Sequence, residues 1–199
     1  MINRERLIKT FCDLVKIDSP SGEEDEIRVE LTRRLGNLGF AVQEDSYGNL
    51  IATEEGDDPL LLSAHMDTVE PGRGIKPSVD GDNIVSDGTT ILGGDCKAGI
   101  TAILEGLESI AEDGNDRIPV ELVFSREEEV GLLGARNLDM SMLKARRGVV
   151  FDGNGPPSKI TKSSPTYISF KVEVTGRAAH AGVEPEKGLS AVKIAAELI

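Results

Sequence analysis

Four apolar runs in this chain each open, at their carboxyl end, onto an imidazole or a carboxylate, and helix-like segments are interspersed among them. Leu60-Leu61-Leu62 leads through Ser63 and Ala64 to His65 and Asp67. Ile91-Leu92 leads through Gly93-Gly94 to Asp95, residues 120–124 lead to Glu127-Glu128-Glu129, and residues 148–151 lead to Asp152. Buried strands alternating with amphipathic helices predict an α/β fold built in α-β-α layers, where ligands gather beyond the carboxyl ends of the strands. One pattern therefore constrains both the architecture and the place of a site.

The helical segments are read from their period. Residues 3–17 put Leu7, Phe11, Leu14 and Val15 on one face, and Asp18-Ser19-Pro20 breaks that helix. Ser21-Gly22-Glu23-Glu24 has the spacing of a capping box, which predicts a helix carrying Ile27, Leu31 and Leu35 inward and ending at Gly39. Short strands are expected at 41–44 and 49–53, and a hairpin over 75–87 around Asp80-Gly81. A long helix follows Asp95, with Ile100, Ile103, Leu104, Leu107 and Ile110. Character changes near Pro156-Pro157: residues 166–175 alternate as a half-solvated antiparallel strand, and a helix from Leu189 is still amphipathic at Ile199. These features predict an α/β domain over residues 1–159 and the opening of a smaller α+β unit over 160–199.

Composition narrows the function. A net charge of -13 argues against a nucleic-acid or anionic-membrane surface, and the absence of Trp leaves few stacking platforms for single strands. The 2 cysteines, Cys12 and Cys96, form no Cys-x-x-Cys pair and no disulfide framework. The N-terminal stretch is charged and amphipathic, without the apolar core of a signal peptide, and no apolar run reaches spanning length. A cytoplasmic location is the expectation.

The residues at the strand ends suit a metal hydrolase. Imidazole and carboxylates hold a cation, and a carboxylate free of metal can take a proton. Each element also has a plainer reading. His65 alone could be a hydrogen-bonded strand-end histidine, Glu127-Glu128-Glu129 a solvated charge run, Asp95 a helix cap, and Asp152-Gly153 a turn. Taken together and in order, SAHMDTV, SDGTTILGGDCKAG, SREEEVGLLGA, VVFDG and GRAAHAG resemble the zinc metallopeptidase family that includes peptidase T, glutamate carboxypeptidase, aminoacylase, acetylornithine deacetylase and succinyl-diaminopimelate desuccinylase. The pieces SAHMDTV, TTILG and AHAGVEPEKG look most like the peptidase T branch.

The resemblance implies a dinuclear zinc centre in a catalytic domain, followed by the start of a lid domain through which family members form homodimers. His65 would ligate the first zinc, with Asp67 orienting its ring. Asp95 would bridge both ions, in a position often followed by a cis peptide. Glu128 would be the general base, Glu129 a ligand of the second zinc and Asp152 a ligand of the first. His180 would reach a partner subunit's site and stabilise the oxyanion. The substrate implied is a small peptide cleaved as by a tripeptide aminopeptidase; N-acyl amino acid deacylation and a non-catalytic zinc-binding fragment are the alternatives. Two departures stand out. Cys96 replaces a residue commonly acidic, and the family's remaining histidine ligand has no counterpart after His180. The second zinc would then have only Asp95 and Glu129, so the expectation is an N-terminal piece with little activity alone. The triplet of glutamates leaves the register of base and ligand open.

Overall fold

The first helix begins where the sequence supplies a cap: the Asn3 side chain accepts the Arg6 N–H at 3.1 Å. From there α1 (Arg4–Val15) buries Thr10, Phe11, Leu14 and Val15, one face at helical spacing. In α2 (Asp25–Asn37) Ile27, Leu31 and Leu35 are fully buried at intervals of one turn. The computed structural model describes residues 1–156, 158–163, 165–166 and 168–198.

The strands follow as β1 (Ala41–Glu44), β2 (Leu50–Thr53) and β3 (Leu60–His65), then the separate hairpin of β4 (Ser78–Asp80) and β5 (Asn83–Val85). After them come α3 (Gly94–Glu112), β6 (Val120–Ser125), the single turn α4 (Leu133–Arg136) and β7 (Gly148–Val150). The main sheet has the order β1-β2-β6-β3-β7. Its first two pairings are antiparallel, while β3 runs parallel to both β6 and β7. The expected α/β architecture is therefore found, with an antiparallel hairpin added to a parallel core.

Register puts the core on one face. Leu50 pairs with Phe124, Ala52 and Leu62 with Leu122, and Ala64 with Phe124, so these side chains point to the same side. There they meet Leu14, Ile27, Leu31, Leu35, Ile100, Ile103, Leu104 and Leu107 from α1, α2 and α3. Each such leucine or isoleucine contributes roughly 1.5–3 kcal/mol on burial. The opposite face holds Ile51 and Val123, both buried, and Glu121, whose carboxylate accepts the N–H groups of Lys144 and Ala145. The stretch between β6 and β7 thus pins itself to that face through a buried acid.

The expected capping box does not form. Glu24, not Ser21, is the N-cap of α2, and no side chain caps it. The Ser21 hydroxyl donates instead to Asp67 Oδ2 at 2.6 Å, and Glu24 is drawn inward to the loop after β6. Tertiary acceptors and donors have claimed both partners of the local motif.

The chain divides into two compact units, Met1–Lys159 and Ile160–Ile199. In the second, Arg177 and Leu189 exchange backbone hydrogen bonds as an isolated antiparallel bridge, and Ser190 caps α5 (Ala191–Glu197). The strand expected at 166–175 makes no ladder among the described residues, and Ile168, Phe170 and Val172 are exposed. Alternation specifies a face, and a strand also needs a neighbour to take its backbone hydrogen bonds. Pro157 and Ile199 lie outside the described residues, so the expectations placed on them have no structural counterpart.

Candidate metal centre

Because β3, β6 and β7 are parallel, their carboxyl ends share one edge of the sheet, and the side chains that follow them converge there. His65 is the last residue of β3 and is buried. Its Nε2 lies 3.0 Å from Asp95 Oδ1, 3.8 Å from Asp152 Oδ1 and 4.0 Å from Glu128 Oε2. Its Nδ1 faces the Asp67 carbonyl oxygen at 2.9 Å and Asp67 Oδ1 at 3.3 Å. Burial works against a charged ring, yet the carboxylates of Asp67, Asp95 and Asp152 outweigh it and lift His65 to about 9.

Gly93, two residues before Asp95, has a φ of 69°, a left-handed turn that glycine adopts readily, and the Asp95–Cys96 peptide is cis. Cys96 is held as a thiol: its Sγ–H donates to the Phe151 carbonyl at 2.8 Å, and burial pushes its pKa up to about 12. The start of α3 is thereby tied to the end of β7, which sets Asp95 beside Asp152.

Asp67 connects the histidine to the acidic loop. Fully buried, it accepts the N–H of Glu128 on Oδ1 at 2.9 Å, and on Oδ2 the Ser21 hydroxyl at 2.6 Å and the N–H of Glu129 at 3.2 Å. Burial alone would raise its pKa, but His65, Ser21 and the two amides hold it down at about 2. It stays a carboxylate and keeps the imidazole oriented.

Of the three consecutive glutamates, Glu127 has a left-handed φ of 47°, and its carboxylate accepts the Tyr47 hydroxyl. Glu128 and Glu129 are the pair whose oxygens come within ligand reach of His65. Two donor sets result, His65 with Asp95, Cys96 and Asp152, and His65 with Glu128 and Glu129, each with ligand atoms within 4.8 Å of one another. Mixed imidazole and carboxylate donors at this spacing fit a divalent cation such as zinc. The electrostatics agree. Burial, reinforced by neighbouring carboxylates and only partly offset by His65, raises Asp152 to about 6 and also raises Glu129, as expected of crowded acids.

The structure therefore brings together His65, Asp67, Asp95, Glu128, Glu129 and Asp152. His180 belongs to the second unit, where it is exposed and its Nδ1 accepts the Gly182 N–H at 3.2 Å. Sequence reasoning missed the roles of Ser21, which supports Asp67, and of Glu24, Asn49, Tyr47 and Arg126, which brace the acidic loop. The signals were present as a turn pattern, Asp45-Ser-Tyr-Gly-Asn49, and as the four residues read as a capping box.

Residues 61–198 match Peptidase family M20/M25/M40. The chain belongs to this family. It is 41% identical to the protein YqjE of Bacillus subtilis, an alignment covering 100% of this chain and 57% of that protein. A tripeptidase from Staphylococcus aureus superimposes with a TM-score of 0.82 at 35% identity, over 99% of this chain and 56% of the other. An aminopeptidase PepT from Bacillus cereus does so with a TM-score of 0.78 at 38% identity, over 98% and 56%. The M20 chain described here thus spans little more than half the length of these relatives. Among its described residues no helix is long and apolar enough to cross a membrane.

Proposed function

We propose that this chain carries the zinc-ligating and proton-transferring groups of a peptidase that hydrolyses an amide bond in small peptides, as the names of its tripeptidase and aminopeptidase relatives suggest. The observation that supports it most is the convergence of ligand atoms from β3, α3, the loop after β6 and the end of β7 around the buried His65. His65, Asp95 and Asp152 would hold a first cation, and Asp95 and Glu129 would contribute to a second. A bound zinc supplies Lewis acidity and lowers the pKa of a water from about 15.7 to about 7.

The protein's own groups do the rest. Glu128 takes the proton of the attacking water and returns it to the leaving nitrogen, which needs a carboxylate near the cation yet not consumed by it. Asp67 keeps Nδ1 of His65 engaged, leaving Nε2 for the ion. His180 serves as the oxyanion donor toward a partner subunit's site. Among the described residues Asp95 and Glu129 are the groups assigned to the second cation, which makes that position the weaker and low turnover by the 199-residue chain the expected result.

Zinc content after equilibrium dialysis separates the roles. Glu128→Ala is expected to keep the wild-type content and Glu129→Ala to lower it, with tripeptide hydrolysis by a full-length relative abolished by the first substitution. Zinc lost from Glu128→Ala and kept by Glu129→Ala would overturn the assignment.

A further inference from the structure

The acidic loop is held by its backbone. Four consecutive N–H groups, from Arg126 to Glu129, end on three side chains that are each 0% exposed. The Arg126 N–H donates to Asn49 Oδ1 at 3.1 Å, the Glu127 N–H to Glu24 Oε1 at 3.1 Å, and those of Glu128 and Glu129 to the two oxygens of Asp67 at 2.9 and 3.2 Å. Glu24 is itself fixed twice more, by the Gly22 N–H at 2.9 Å and by Arg126 Nε at 2.9 Å. Arg126 then spans the two turns that supply these acceptors, donating to the carbonyls of Tyr47 at 3.3 Å and Gly22 at 3.2 Å.

Such a loop needs holding. It carries three adjacent acids, and Glu127 sits at a left-handed φ of 47° that strains a residue with a Cβ. A buried carboxylate without partners would cost more than it contributes. Glu24 has its partners, and most of them belong to the acidic loop or its flank.

We propose that Glu24 is a positioning residue for Glu128 and Glu129. It acts from behind the cation site, fixing the Glu127 amide so that the next two side chains project toward His65. Asp67 holds the loop from the cation side and Glu24 from the far side. The proposal rests on the reading of Glu129 as a cation ligand. It differs from a role in stability alone because it predicts an effect confined to the loop's acids.

The test is a zinc titration of the 199-residue chain followed by NMR, with carboxyl-labelled glutamate and observation of the His65 ring. Glu128 and Glu129 are assigned by the signals lost in Glu128→Gln and Glu129→Gln. In the wild type, saturating zinc shifts both His65 and Glu129. In Glu24→Gln the zinc concentration that half-shifts Glu129 is expected to rise about 10- to 100-fold, the range typical of outer partners of a ligand, while that for His65 stays near the wild-type value. Glu24→Asp keeps the charge opposite Arg126 but withdraws the carboxylate by about 1.5 Å, one C–C bond. It keeps the ion pair with Arg126 as a second variant should the glutamine unfold the chain, and it is expected to give the same selective loss. Equal zinc response of Glu129 in folded variants and wild type would overturn the proposal, as would a parallel loss at His65 and Glu129. A wild type whose Glu129 ignores zinc would remove the ligand reading itself, and the proposal with it.

Discussion

The carboxylate of Asp67 accepts the backbone N–H of Glu128 at 2.9 Å while facing His65 Nδ1 at 3.3 Å. A proposed cation ligand and the proposed base are therefore mounted on the same buried side chain. Asp67→Asn removes the charge but little volume. Its His65 ring is expected to titrate well below 9, because the first of the carboxylates that raise it has gone. Zinc affinity is expected to fall about 10- to 100-fold. Ring NMR against pH and a chelator competition measure the two effects, and an unchanged ring pKa would contradict the geometry.

Without zinc, stability should depend on pH through the same histidine. His65 titrates near 9 when folded and 6.5 when exposed, so the folded chain binds the extra proton. The contribution is complete below pH 6.5 and is lost as pH rises toward 9. Lys97, held down at about 8 by burial, has the opposite slope above that value, which leaves pH 6.5 to 8 as the clean window. At ~1.4 kcal/mol per pH unit, the fall across it is about 2 kcal/mol. Urea unfolding across this range checks it, and His65→Gln or saturating zinc should flatten the curve.

Close approach between α3 and the end of β7 makes a third test. A Cβ on Gly99 would lie 2.1 Å from the Phe151 carbonyl oxygen and 3.0 Å from Cys96 Sγ. Gly99→Ala is expected to destabilise the chain by about 1–3 kcal/mol and to weaken zinc binding by displacing Asp152. Gly106 on the same helix has nothing within 4 Å of its Cβ, so Gly106→Ala should stabilise by up to about 1 kcal/mol. Urea midpoints and zinc affinity for the two variants report the contrast.

The strands and the acids at their ends were readable in the sequence because apolar runs and their flanks are local properties. His65 and Asp152 lie at the carboxyl ends of the parallel strands β3 and β7, as the rule that parallel strands share a carboxyl edge expects. The run Ile91-Leu92, by contrast, forms no strand, and Asp95 comes instead from the first turn of α3. Ser21 and Glu24 were misread because a local capping motif and a pair of long-range acceptors have the same spelling. The choice of tertiary partners was made by residues about 46 and 103 positions away. The glutamate register was open for the same reason: the contact that engages Glu127 comes from Tyr47, on a hairpin turn far back in the chain. The alternation at 168–174 was readable, but pairing depends on a neighbour that periodicity does not name.

Asp152 stands on different footing from the other proposed ligands. His65 ends β3, which is paired on both sides, whereas Asp152 follows β7, an edge strand among the described residues, whose ladder has three residue pairs and whose Val149 and Val150 are exposed. Short margins of a sheet fray before its middle. One jaw of the site is thus set in bedrock and the other in a short margin. Amide exchange at 148–151 should slow when zinc is added, because the ion would clasp the loose jaw to the fixed one.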